Sequence, residues 1–81
     1  MVNAPRPTVS PAQVRAARAW LDWSQDELSA RSGISKRTIA RYESGTTLAH
    51  PETLDLIQNV LEGEGIVFQF VGGIAKGIGT R

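Results

Sequence analysis

The sequence contains no cysteine and a single histidine among its 81 residues. Disulfide bonds and thiolate metal sites are therefore excluded, so neither can supplement the small hydrophobic core of so short a chain. The histidine, His50, directly precedes Pro51 and has no second histidine and no cysteine beside it. We interpret it as a surface or helix-capping residue, and we predict that the protein uses no metal ion and no cofactor.

Long hydrophobic runs are absent as well. No stretch approaches the roughly 20 apolar residues that a transmembrane helix requires. The segment from Met1 to Ser10 has two prolines, one arginine and no apolar core, which is not the pattern of a signal peptide. We therefore expect a cytoplasmic protein with no membrane partner, and the chain length predicts one domain.

The sequence also has no recognisable catalytic or nucleotide-binding motif. Glycines at positions 72, 73, 77 and 79 superficially suggest a phosphate-binding loop. However, Lys76 precedes its glycine and no helix is expected after it, so neither the Walker nor the Rossmann spacing is present. No Ser/His/Asp or paired-carboxylate arrangement is apparent either. We predict that the protein is not an enzyme.

The net charge is only +1, but the charges are segregated along the chain. Between Glu27 and Glu43 there are four basic residues and no acidic one, whereas residues 52–64 contain four acidic residues and no basic one. The positive stretch is a candidate surface for binding phosphate. Its basic residues are Arg31, Lys36, Arg37 and Arg41.

Capping chemistry predicts four helices. A helix start is indicated by a serine at the N-cap, more strongly where Gln or Glu follows three residues later, or by proline at the first helical position. Gly33 and Gly45 are expected to end the second and third helices in a left-handed conformation. The predicted starts are Ser10, Ser24, Ser35 and Pro51. Apolar residues at helical spacing predict the core faces of the first helix, Val14, Ala17 and Leu21, and of the fourth, Leu54, Ile57 and Leu61.

The C-terminal part changes character to β. Residues 66–71 are rich in β-branched and aromatic side chains and predict a strand, which Gly72 and Gly73 end. Residues 74–81 form either a weak return strand or a loose tail. Because a lone strand leaves backbone groups unpaired on both edges, we expect a hairpin, a dimer, or both.

The third predicted helix separates an apolar face from a cationic one. At 100° per residue, one face of this helix carries Ser35, Thr38, Ile39 and Tyr42. On this face Ile39 and Tyr42 are expected to pack inward. The opposite face carries Lys36, Arg37 and Arg41 around the small Ala40. Such a face can approach the major groove, where arginine and lysine donate to guanine O6 and N7 or to phosphates.

The segment from residue 24 to residue 45 resembles the helix-turn-helix of the lambda-repressor and Cro family, the XRE-type regulators. The resemblance is carried by Ser24-Gln25-Asp26-Glu27-Leu28, by Gly33-Ile34-Ser35, and by Thr38-Ile39-Ala40-Arg41-Tyr42-Glu43-Ser44-Gly45. It implies a mainly α, four-to-five-helix lambda-repressor-like DNA-binding domain with a C-terminal β-strand or hairpin. Residues 1–9 would be an N-terminal extension, 10–64 the DNA-binding domain, and 65–81 a β-element with a Gly-rich tail.

The resemblance also implies roles for individual residues. Gln25 would contact the DNA backbone and brace the recognition helix, which runs from about Ser35 to Ser44. Bases and phosphates would be contacted by Ser35, Lys36, Arg37 and Arg41, with Thr38 supporting a backbone contact. Thr46 and Thr47 would touch phosphate through amides and hydroxyls.

A charge on the apolar face of the first helix, Arg18, requires a partner. The resemblance supplies Glu43, and we assign Arg18–Glu43 as a structural ion pair. Trp23 is expected to close the core between the first two helices, and Trp20 to cover the C-terminal strand or to contribute to a dimer contact.

The implied function is a sequence-specific transcriptional regulator, expected to be a repressor, that binds double-stranded DNA. A homodimer would place two reading helices in half-sites about 34 Å apart, with strand 66–71 as its candidate interface. The alternative is an antitoxin that represses its own operon and binds a toxin partner, for which residues 66–81 could serve as a short arm.

Overall fold

A computed structural model of the chain, which describes residues 7–81, contains four helices followed by a two-stranded antiparallel hairpin. The elements are α1 (Pro11–Leu21), α2 (Gln25–Ser32), α3 (Lys36–Glu43), α4 (Pro51–Gly63), β1 (Ile66–Val71) and β2 (Ile74–Thr80). The predicted mainly α fold with a C-terminal β-element is confirmed, while residues 1–6 of the predicted N-terminal extension lie outside the described residues. None of the helices within residues 7–81 combines the length and the apolar character needed to span a membrane.

The first three helices begin as their capping residues predict. Ser10, Ser24 and Ser35 each accept a hydrogen bond from the backbone N–H three residues later, which satisfies one of the orphan donors of the first turn. The fourth helix differs, because His50 occupies the N-cap position but its side chain makes no capping hydrogen bond. His50 is an exposed residue, and Pro51 at the first helical position marks this helix start.

The core lies between the four helices and the inner face of the hairpin. Its fully buried aliphatic side chains come from every helix and from β1, so these elements share one continuous core. They are Val14, Leu28, Ile39, Ile57, Leu61 and Ile66. Trp23 packs against this core as expected, whereas Trp20 keeps 66% of its surface exposed and contributes little to the core of its own chain.

The hairpin supplies the strand partner within the same chain. Residue Ile66 pairs with Thr80 and Val71 with Ile74, so the C-terminal segment is a return strand and not a loose tail. The register shifts between Gln69 and Phe70, which is the site of a β-bulge.

Gln13 connects α1 to this hairpin at the bulge. Its Nε2 donates to the carbonyl oxygens of Gln69, at 2.9 Å, and Gly77, at 2.8 Å, which belong to opposite strands. Its Oε1 accepts from the backbone N–H of Ser10 at 2.9 Å, completing the capping box. One side chain that is only 3% exposed therefore caps α1 and fixes both strands to it.

Candidate nucleic-acid interface

The orientation of α3 relative to α2 is set by a three-residue turn and a shared apolar contact. Gly33 ends α2 with φ of 75°, a left-handed conformation that glycine adopts without strain. The Ser32 hydroxyl then accepts from the Ile34 backbone N–H at 3.1 Å. Leu28 of α2 and Ile39 of α3 are both completely buried in the core. These features hold α3 against α2 as the second helix of a helix-turn-helix.

Below α3 lies a buried ion pair between α1 and the last residue of α3. Arg18 donates from Nε and Nη2 to the two carboxylate oxygens of Glu43, each at 2.7 Å, and from Nη1 to the Trp23 carbonyl at 2.9 Å. Glu43 is 2% exposed. The hydrogen bond to Glu43 raises the pKa of the Arg18 guanidinium above its ordinary value, and burial opposes that increase. This fork geometry is the strong, bidentate form of an ion pair.

The same carboxylate holds Gln25. Its Nε2 donates to Oε1 of Glu43 at 3.0 Å, so the first residue of α2 is bound to the last residue of α3. Gln25 is half-buried, and an amide NH₂ has two hydrogens. One hydrogen is used by Glu43, which leaves the other for a second acceptor.

The outer side of α3 is exposed and cationic. Among residues 7–81, no carboxylate pairs with Arg37 or Arg41. Lys36 Nζ lies 3.4 Å from Asp26 Oδ2, but both side chains are more than half exposed and such a pair is weak. Ala40 lies half-buried between these cations, and its small side chain lets a ligand approach the helix backbone closely.

Ser35 and Thr38 lie at the exposed start of α3. The Ser35 hydroxyl accepts from the Thr38 N–H at 3.2 Å and donates to Thr38 Oγ1 at 2.9 Å. Although the helical angle groups them with Ile39 and Tyr42, both are exposed, because the first turn extends beyond the core. The Ser35 hydroxyl hydrogen is thus used by Thr38, whereas the Thr38 hydroxyl still has its own hydrogen to donate.

After α3, residues 44–47 fold back over the end of the helix. Thr46 N–H donates to the Arg41 carbonyl at 3.0 Å, and the Thr46 hydroxyl lies 2.7 Å from that of Ser44. Gly45 has φ of 76°, which permits this reversal. The Thr47 N–H is directed to the same Arg41 carbonyl at 3.5 Å. Because Ser44 Oγ donates to the Arg41 carbonyl at 3.0 Å, the Thr46 hydroxyl is the donor to Ser44. The exposed Thr47 hydroxyl is therefore the group of this segment that is available to a ligand.

Sequence reasoning missed one cation beside this region, Arg15. Its Nη1 donates to the backbone carbonyl of Glu43, at the C-terminal end of α3. The signal was present in the sequence, since Arg15 lies three residues before Arg18 and positions i and i+3 are neighbours on a helix surface.

Tyr42 anchors the other side of α3. Its hydroxyl donates to the Val9 carbonyl at 3.1 Å, which ties the segment before α1 to the helix. Burial raises the pKa of the Tyr42 phenol to about 12, and the nearby Glu43 carboxylate adds to this increase while Arg15 opposes it.

A comparison with protein-family models matches residues 14–65 to the family described as helix-turn-helix, in its XRE-type, Cro/C1-like form. The match spans most of α1, all of α2, α3 and α4, and the turn that leads to β1. No curated protein sequence gives a match to the chain. Because the matched region is well over half of the chain and contains the turn, the apolar contacts and the exposed cationic helix described above, the chain belongs to the XRE-type helix-turn-helix family of DNA-binding regulators.

Proposed function

We propose that the protein is a transcriptional repressor that binds duplex DNA sequence-specifically, with α3 in the major groove. The observation that carries this proposal is the pair of arginines, Arg37 and Arg41, exposed on α3 without a carboxylate partner among residues 7–81. Guanidinium groups without a protein partner are free to form bidentate hydrogen bonds to guanine O6 and N7.

The dimensions of α3 suit this role. Eight residues at 1.5 Å per residue give a helix of about 12 Å, similar to the roughly 12 Å width of the major groove. The small Ala40 side chain lets the helix axis approach the base edges. Lys36 lies at the N-terminal end of α3, which would enter the major groove first. We therefore assign base contacts to Arg37 and Arg41, and mixed base and phosphate contacts to Lys36.

Phosphate contacts would position α3 in the groove. The free amide hydrogen of Gln25 and the hydroxyl hydrogens of Thr38 and Thr47 are donors of the kind that bind phosphate oxygens, whereas the hydroxyl hydrogens of Ser35 and Thr46 are donated within the protein. Gln25 is the best oriented of these, since its other hydrogen is held by the buried Glu43 carboxylate. Such contacts fix the register of the protein and carry no base information of their own.

We further propose that the protein acts as a homodimer through the outer face of the hairpin. This face, formed by Val67, Val71 and Ile74, has exposures of 42%, 64% and 63%. Gly77 and Gly79 keep its β2 half flat, with the Gln69 side chain lying over both glycines. This flat face, in which three apolar side chains lie beside the Gln69 amide, can pack against a second copy of itself. A dimer of this kind fits a two-fold symmetric operator.

The experiment is in vitro selection of a duplex from a random library, followed by fluorescence-anisotropy titration of the selected and a scrambled duplex across a salt series. We expect the selected duplex to bind at least about 10³-fold more tightly, with log affinity falling linearly with log salt. Sequence-blind binding, or selection that recovers no consensus, would contradict the proposal.

The outer face of the hairpin also favours a second candidate, an antitoxin that represses its own operon, because an exposed apolar face can bind a toxin as well as a second copy. Co-expression with the product of the adjacent gene distinguishes the two functions. An antitoxin forms a stoichiometric complex with that product and relieves its growth arrest, whereas a repressor that acts alone does neither.

A further inference from the structure

Arg15 is the one cation of α1 that reaches the end of α3 without being neutralised there. Arg18, three residues later, is matched by the Glu43 carboxylate and is largely buried. Arg15 is exposed, it donates only to the Glu43 backbone carbonyl, and no carboxylate pairs with it among residues 7–81. Its positive charge is therefore available at the surface.

The Arg15 guanidinium also caps the C-terminal end of α3. The last four carbonyls of a helix have no partner within the helix. Here three of them accept backbone N–H groups of the following residues, and the fourth, that of Glu43, accepts from Arg15. The three pairs are Ala40 with Ser44, Arg41 with Thr46, and Tyr42 with Gly45.

The electrostatic consequence concerns phosphate. The C-terminal end of a helix carries a partial negative charge of about half an elementary charge, which disfavours a nearby anion. Arg15 places a full positive charge on that end. A helix of about 12 Å in a groove of about 12 Å extends towards the sugar-phosphate backbone at its ends, so a cation at the C-terminal end of α3 would attract a phosphate there.

The guanidinium also has the donors for a second acceptor. Arginine has five N–H donors, and one of those on Arg15 is used by the Glu43 carbonyl. The Thr47 hydroxyl, already assigned to phosphate, belongs to residues 44–47, the segment that follows Glu43 directly. A phosphate near that segment is within the neighbourhood of Arg15 as well.

We propose that Arg15, from α1 and outside the two helices of the helix-turn-helix, contacts a phosphate of the bound duplex beside the C-terminal end of α3. This inference rests on the proposed DNA-binding mode of α3. Arg15 then has two roles: it caps α3 through one N–H and binds a phosphate of the DNA through its other N–H groups.

The test separates a phosphate contact from a purely structural cap. Arg15→Ala is compared with wild type in anisotropy titrations on the selected duplex between 50 and 200 mM salt. Lys76→Ala is the matched control, because it removes one exposed positive charge on β2, away from α3. Because each protomer of the proposed dimer carries one Arg15, the variant loses two phosphate contacts and the salt slope falls by about 1.8, so the affinity difference between wild type and Arg15→Ala should shrink about 12-fold over this range. Lys76→Ala should leave the slope unchanged.

A second readout locates the phosphate. Neutral methylphosphonates are substituted one at a time along each strand, and each duplex is titrated with wild type and with Arg15→Gln, which removes the positive charge and keeps an amide on a shorter side chain. We expect one position in each half-site where the neutral group weakens the binding of the wild type several-fold and that of Arg15→Gln hardly at all.

Each outcome bears on a different claim. An Arg15 variant that keeps the wild-type slope and shows no phosphate position specific to Arg15 would overturn this inference alone, leaving Arg15 as a helix cap. A wild-type protein that binds no duplex at all would overturn the proposed function and this inference together.

Discussion

Gln25 and Glu43 are 18 residues apart, yet the amide of the first donates to the buried carboxylate of the second at 3.0 Å. Arg18 binds the same carboxylate through two hydrogen bonds, so one acidic group joins α1, α2 and α3. The side chain that we assign to the DNA backbone and the helix that we assign to the bases are thus fixed to each other. The geometry of the interface depends on a group that lies beneath it.

Glu43→Gln should therefore destabilise the protein strongly. It leaves the Arg18 guanidinium without its counter-charge in a largely buried position, and breaking a buried pair in this way costs about 3 kcal/mol or more. The measurement is urea unfolding followed by circular dichroism. Glu27→Gln is the control, since it removes the exposed i,i+4 partner of Arg31 and should cost less than about 0.5 kcal/mol. Equal losses for the two variants would rule out a special role for the buried pair.

Gln13→Glu tests the link between α1 and the hairpin. Glutamate preserves the capping acceptor for Ser10 but turns an oxygen towards the carbonyls of Gln69 and Gly77, which received the two N–H bonds. We expect a loss of about 2 kcal/mol or more at pH 7. Because repulsion by the carbonyls and burial raise the pKa of the new carboxyl in the folded state, the variant should regain stability as the pH falls towards 4.

Urea midpoints of Gln13→Glu and wild type at pH 4, 5 and 7 provide the measurement. The difference between the two proteins should narrow as the pH decreases. A difference that stays constant with pH would show that the side chain at position 13 does not face the strand carbonyls.

Tyr42 is the only tyrosine in the sequence, so its ionisation can be followed directly by absorbance at 295 nm. Its pKa, raised to about 12 by burial, exceeds the value of about 10 in an unfolded chain. The folded state therefore binds this proton more tightly, and the associated stability is complete below pH 10 and lost as the pH rises towards 12. Tyr42→Phe should abolish the absorbance change and cost about 1 kcal/mol at pH 7 through loss of the Val9 hydrogen bond. A midpoint near pH 10 in the folded protein would contradict a buried phenol.

The proposed dimer predicts a specific effect of charge on the outer face of the hairpin. Val71→Glu combined with Ile74→Glu should shift sedimentation-equilibrium profiles from dimer to monomer and reduce affinity for the selected duplex by at least tenfold, since like charges would oppose each other across the interface. Leu56→Glu is the control, because Leu56 is 48% exposed but lies on α4. Dimerisation weakened equally by both variants, or by neither, would exclude this face as the interface.

Local chemistry in the sequence predicted much of the fold. Serine caps at residues 10, 24 and 35 and the glycine at position 33 define helix ends through bonds within a few residues, so no tertiary information was needed. The need of Arg18 for a partner could be anticipated because its charge interrupts an apolar face, while the identity of that partner, Glu43, came from the family resemblance. In the same way, the cationic face of α3 follows from helical periodicity alone.

The parts that could not be predicted depend on long-range contacts. Gln13 reads as a capping residue, and its bonds to Gln69 and Gly77 span 56 and 64 residues. The choice between a return strand and a loose tail after Gly73 was equally undecidable, because the pattern of residues 74–81 is weak and the pairing depends on the inner face of the hairpin packing on α1 and α4.

The most direct test of the central claim, that α3 reads bases through its unpaired arginines, is the affinity of Arg41→Ala for the selected duplex and for its single-base-pair variants. We expect a loss of about 1–3 kcal/mol on the selected duplex and reduced discrimination at one base pair, with other positions still read. Binding by Arg41→Ala with wild-type affinity and undiminished discrimination at every base pair, together with the same result for Arg37→Ala, would show that α3 does not read the DNA through these residues.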